Sequence, residues 1–125
     1  MSGFGPAGVP ERLQRANVLR VDGRYEEAIA EYREVLIADG CNIEARLGLG
    51  LSLCFAGDFD ASLEELKCAV KYGPDHLDAR LNLAKTYAML GMYDEAAEEF
   101  QQVLRISPGH REAIKQLAFF ESFKR

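Results

Sequence analysis

Apolar residues return along this chain at steps of three and four, in short blocks separated by breaks that carry glycine or proline. In the block 25–38, Ala28, Ile29, Tyr32, Val35 and Leu36 share one face and Glu31 and Glu34 point away; in 93–106, Ala96, Ala97, Phe100, Val103 and Leu104 oppose Glu98 and Glu99. That spacing gathers side chains on one side of an α-helix, so each block predicts a helix with a buried stripe and a solvated acidic face. Applied to the whole chain, the pattern predicts seven helices: about 10–22, 25–38, 43–56, 59–72, 77–90, 93–106 and 111–123. Acids gather at helix starts (Glu26, Glu27; Asp58, Asp60; Asp94, Glu95), where each offsets the positive end of the macrodipole by about 0.3–1 kcal/mol.

The blocks repeat. Gly23, Gly57 and Gly91 stand 34 residues apart, each followed two residues later by an aromatic (Tyr25, Phe59, Tyr93) and five later by a small residue (Ala28, Ser62, Ala96). Nine after each glycine comes Tyr32, Leu66 or Phe100, and seventeen after it Gly40, Pro74 or Pro108. Ahead of each glycine, small Ala16, Gly50 and Ala84 follow Arg15, Leu49 and Leu83, with Leu19, Leu53 and Tyr87 closing the turn. A period of 34 with these positions resembles the tetratricopeptide repeat, TPR, over roughly residues 9–110. Two departures stand out: the family's tryptophan is Arg12, Arg46 and Arg80 here, and Gly40 replaces the terminal proline of the first copy.

The resemblance implies an all-α fold, a right-handed α-solenoid of three helix-turn-helix repeats (about 9–42, 43–76 and 77–110) closed by a capping helix at about 111–123. Residues 10–125 are expected to form one domain, and 1–9, rich in glycine with Pro6, to form a disordered arm that ends as Pro10 opens the first helix. A length of 125 residues with 48% hydrophobic content suits such a stack.

Charge narrows the function. A net charge of -5 with no basic patch disfavours nucleic acid. No run of eighteen apolar residues predicts membrane insertion, and the opening MSGFGPAGVP has neither a basic nor an apolar leader region. Three cysteines, Cys41, Cys54 and Cys68, in no C-x-x-C spacing fit a reducing compartment, so the expected location is cytoplasmic. No phosphate loop, nucleophile elbow or metal-spaced histidine pair appears, so no enzyme, cofactor or metal site is expected.

The candidate site comes from the first helix of each repeat. By similarity to the family, residues thirteen, ten, nine, six, three and two before each glycine line a concave groove. The positions singled out are Leu13 and Asn17; Leu47, Gly48, Leu51 and Phe55; and Leu81, Asn82, Lys85 and Met89. The run LGLGLSLCFAG is apolar on nearly every side, and a helix of that kind expects cover. Gly48 has no packing reason visible in the sequence, since a mid-helix glycine costs about 1 kcal/mol, and it reads as room for a ligand or as a tolerated weak spot. The expected partner is another protein, offering an apolar peptide or helix, with asparagines and Lys85 fixing register. An acidic C-terminal tail is not expected. The five positions of the family's carboxylate clamp fall on Leu13, Asn17, Gly48, Asp78 and Asn82, of which only Asn17 agrees, and Asp78 would repel a carboxylate.

Three further features carry expectations. Arg12, Arg46 and Arg80 would form a ladder, their stems packed and their heads bridging to Glu44, Asp78 or Glu112. His76 and His110 read as turn residues, and Phe119, Phe120 and Phe123 cannot share one packing surface, which makes them candidates for homo-oligomer contact, the alternative being a self-assembling scaffold.

Overall fold

The computed structural model describes residues 8–123. These form seven α-helices: α1 (Val9–Val21), α2 (Tyr25–Ala38), α3 (Ile43–Phe55), α4 (Phe59–Tyr72), α5 (Leu77–Met89), α6 (Tyr93–Ile106) and α7 (Arg111–Ser122). The expected helices are all present. Of the expected arm, residues 1–7 lie outside the described residues; Gly8 caps α1, and Val9 already belongs to the helix and is buried.

The repeating glycines end α1, α3 and α5 in the same way. Gly23, Gly57 and Gly91 take φ of +80°, +91° and +75°, a left-handed conformation that side-chain-bearing residues rarely adopt. Each glycine N–H donates to the carbonyl three residues back, and the following N–H (Arg24, Asp58, Met92) reaches the carbonyls of Leu19, Leu53 and Tyr87 at 2.8, 2.9 and 2.9 Å. This pair of bonds is a Schellman close, which turns the chain into the next helix. At the other end of the pairs, Asn42 Oδ1, His76 Nδ1 and His110 Nδ1 accept the N–H groups of Ala45, Ala79 and Ala113. The two histidines are therefore helix N-caps.

The chain divides between Tyr72 and Gly73 into two compact units. In the first, α1 packs on α2, α2 on α3 and α3 on α4, around Ala16, Ala28, Tyr32, Val35, Ala45, Leu49 and Leu53. In the second, α5 packs on α6 and α6 on α7, around Ala84, Ala96, Phe100, Val103, Ala113 and Phe120. The two bulkiest sealed side chains, Tyr32 and Phe100, occupy the same repeat position, and each contributes about 1.5–3 kcal/mol by leaving water.

The arginine ladder exists, but its partners differ from those expected. Arg12 bridges Glu31 at 2.9 Å, Arg46 bridges Glu65 at 2.8 Å and Arg80 bridges Glu99 at 2.9 Å. Each glutamate lies 19 residues downstream, on the second helix of the same pair, because antiparallel pairing brings those two positions together. The acidic faces of α2 and α6 are thus partly consumed: Glu31 and Glu99 keep only 16% and 17% of their side-chain exposure. Where the family carries tryptophan, this chain ties its two helices with a charge pair.

Candidate functional site

In the first unit the inner positions surround Tyr32. Its hydroxyl accepts from Arg20 Nε at 3.0 Å and donates to Asn17 Oδ1, so a three-residue relay ties α1 to α2. Burial pushes the Tyr32 phenol above its ordinary range, and the Arg20 bond opposes that rise. The ring then reaches α3. A Cβ on Gly48 would clash with the edge of the Tyr32 ring, so Gly48 is buried and already filled from within the unit. The expectation of ligand room at Gly48 is corrected: the glycine is there for the tyrosine. Gly50 has a parallel reason, since a Cβ there would stand 2.8 Å from Leu66 of α4.

Around this sealed point the apolar inner side chains stay partly open. Leu13 is half-buried and packs on the core, Leu47 and Leu51 are half-buried, and Phe55 is 64% exposed. Phe55 is not bare: its ring stacks on Tyr25 at 5.4 Å and 16°. Asn17, expected to bind a partner, has its carbonyl oxygen occupied by Tyr32.

The second unit is built differently. Phe100 has no hydroxyl to place and packs its ring against Phe120 at 5.9 Å. Beside them, between α5 and α7, lies a depression of about 350 Å³ lined by Met89, Tyr93, Phe100 and Phe119, with Lys85 and Glu112 at its edge. Lys85 Nζ stands 3.7 Å from Glu112. Met89 is 60% exposed, Leu81 half-buried against the core, and Asn82 donates to the Asp78 carbonyl at 2.8 Å.

The three phenylalanines of α7 separate. Phe120 is buried against Phe100 and Tyr93, so it is core and is withdrawn from the self-association set. Phe119 and Phe123 stay more than half exposed and meet edge to face at 4.7 Å. By repeat position Phe123 matches Phe55, and it leans on Tyr93 as Phe55 leans on Tyr25. Phe119 in turn matches Leu51 by repeat position and lines the depression between α5 and α7.

Other chemistry is sparse among the described residues. No group of three or more His, Cys, Asp or Glu could hold a metal ion, and no helix is long and apolar enough to cross a membrane. Cys41 is exposed, and Cys54 and Cys68 are half-buried.

The first TPR of Spaghetti (RPAP3), solved with the HSP90 peptide SRMEEVD, superposes with a TM-score of 0.87 at 20% identity, covering 93% of this chain and 92% of that one. The first TPR domain of human RPAP3 gives 0.87 at 21% identity over 94% and 93% of the two chains. The Yersinia enterocolitica type III secretion translocator chaperone SycD, in an alternative dimer, gives 0.89 at 14% identity over 99% of each. At such identities the likeness speaks for the fold. Among curated proteins, none matches the chain. The family model described as tetratricopeptide repeat matches residues 47–111, more than half of the chain, and the chain belongs to the tetratricopeptide repeat family.

Proposed function

We propose that this chain is a non-enzymatic protein-interaction module and that the inner face of each unit takes an apolar stretch of a partner protein, as a helix or an extended segment. The observation that carries the reading is the depression of about 350 Å³ in the second unit, with Met89 and Phe119 exposed around it and a single charge pair, Lys85 and Glu112, at its edge. Concave apolar surfaces with a few convergent polar groups are a usual form of ligand site, and amphipathic helices lay their apolar face into such grooves. Phe55 at 64% exposure, with Leu47 and Leu51 beside it in sequence register, supports the same reading in the first unit.

The ligand class differs from the acidic peptide bound to the Spaghetti domain. Of the clamp positions, Leu13 offers no charge, Gly48 is filled by Tyr32, Asn17 already accepts from Tyr32, and Asp78 is an exposed carboxylate. None of them draws a terminal carboxylate. Lys85 and Asn82 would set register through hydrogen bonds to a backbone.

Panning a random peptide display library against the protein tests this. Selected sequences are expected to be rich in leucine and aromatic residues, and Met89→Glu or Phe55→Glu to lose them while leaving the melting temperature nearly unchanged, both positions being exposed. Selection of peptides that end in Glu or Asp carboxylates, indifferent to both substitutions, would overturn the reading.

A further inference from the structure

We propose that the depression of the second unit takes its guest in extended form, with one large apolar side chain inside it and the adjoining peptide group held by the side-chain amide of Gln116. This rests on the inner face being the peptide site, and it narrows the partner there to a strand-like segment. The repeat isolates the residue that carries it. Gly48, Asn82 and Gln116 occupy one position of the repeat, 34 residues apart. Gly48 is filled by the Tyr32 ring, and Asn82 is turned back on its own helix, its Nδ2 donating to the Asp78 carbonyl at 2.8 Å. Gln116 is one methylene longer than Asn82, is half-buried, and lines the depression beside Met89 and Phe119. Among the described residues its side-chain amide has no hydrogen-bond partner, so its carbonyl and its NH2 group are both left to solvent.

An amide on the wall of an apolar depression discriminates between guests by their conformation. In a helix the main-chain N–H and C=O groups are already paired with each other. The apolar face of a helical guest would therefore cover Gln116 and strip water from a donor and an acceptor that gain nothing in return. An extended segment arrives with its main-chain groups unpaired. Where its side chain drops between Met89 and Phe119, the peptide group beside it meets Gln116, whose carbonyl accepts the N–H and whose NH2 donates to the C=O. The space of about 350 Å³ suits this occupant, since it admits side chains, whereas a helix is about 10–12 Å across. At the edge, Lys85 and Glu112 stand 3.7 Å apart and offer one donor and one acceptor of opposite charge, so the rim favours neither sign of charge in the guest.

The test uses the full chain and the tightest peptide recovered by panning, dye-labelled and followed by fluorescence anisotropy. Gln116→Leu keeps the bulk and helix propensity of the side chain and removes both of its hydrogen-bonding groups. It is expected to weaken binding about tenfold with the melting temperature nearly unchanged. Replacing the peptide bonds of the probe one at a time by esters removes one N–H each; at one bond this should cost about tenfold, and nothing more at that bond in Gln116→Leu. The Gln116 side-chain NH2 resonances, assigned by their loss in Gln116→Leu, are expected to move when the probe binds. A helical guest gives the opposite sign: Gln116→Leu would bind as tightly as wild type or more tightly, and circular dichroism of the probe would gain helix on binding. If that occurs while Met89→Glu still abolishes binding, the inner face stands and the extended form falls. If Met89→Glu has no effect, both fall together.

Discussion

In both units a large aromatic side chain leaves the second helix of a pair and leans toward the helix that follows, yet Tyr32 and Phe100 meet opposite receptions. Tyr32 finds Gly48, which lets its ring lie against the α3 backbone, and its hydroxyl is then held by Arg20 and Asn17. Phe100 finds Phe120 instead, and Gln116, the counterpart of Gly48, lines a depression that stays open. One position of the repeat thus decides whether that point of the inner face is filled by the protein itself or stays open. A glycine opposite a tyrosine closes it; a longer residue opposite a phenylalanine, with a second phenylalanine sealing the core below, leaves space above.

The largest effect should come from forcing the first unit toward the second. Gly48→Ala gains about 1 kcal/mol of helix propensity but drives a methyl group into the Tyr32 ring, an overpacking that costs about 1–3 kcal/mol, and displacing the ring also strains its bonds to Arg20 and Asn17. A net loss of about 1–2 kcal/mol is expected from urea unfolding. In a Tyr32→Leu background, which copies Leu66 of the second repeat, the same substitution should become neutral or stabilising. A stabilising effect in the wild-type chain would mean that the ring does not occupy that place.

That glycine also marks what could be read from the chain and what could not. Helices and their ends were legible because they are local: periodicity gave the stripes, and Gly23, Gly57 and Gly91 alone encode the left-handed closes. The reason for Gly48 was not, because the group that fills it comes from another helix, and a glycine with no visible neighbour looks like a vacancy. The partners of Arg12, Arg46 and Arg80 were missed for the same cause. Glu31, Glu65 and Glu99 recur at the same period, but only antiparallel pairing shows that they meet the arginines. On α7 the sequence showed that Phe119, Phe120 and Phe123 cannot share one packing surface, but not which of them enters the core. Which of them is buried follows from alignment with Ser52 and Thr86, both buried in their own helices.

A smaller difference separates the caps. Asn42 opens α3 in the first unit, while His76 and His110 open α5 and α7 in the second, each side chain accepting one amide N–H. His110→Ala is expected to cost about 1 kcal/mol and to speed hydrogen exchange of the first amides of α7. His110→Asn, which borrows the cap of the first unit, should restore both. A loss of equal size in both variants would show that the imidazole contributes by packing and not as an acceptor.

The smallest expected effect distinguishes the two aromatics by the hydroxyl alone. Burial raises the Tyr32 phenol above its usual value near 10, so between that value and the raised one the unfolded chain has lost a proton that the folded chain still holds. The unfolded state then binds fewer protons, the slope of stability against pH is negative, and the contribution of Tyr32, complete below the unfolded value, declines as pH climbs toward the folded one. Phe100 contributes no such limb. Comparing wild type with Tyr32→Phe by urea unfolding at a series of alkaline pH values isolates the effect, because the remaining tyrosines are common to both. The gap between the two proteins should be greatest near neutrality, where the relay to Arg20 and Asn17 is intact, and should narrow as the medium becomes more basic. A constant gap across that range would mean that the hydroxyl ionises as readily folded as unfolded, and therefore that the ring is not sealed between α1, α2 and Gly48.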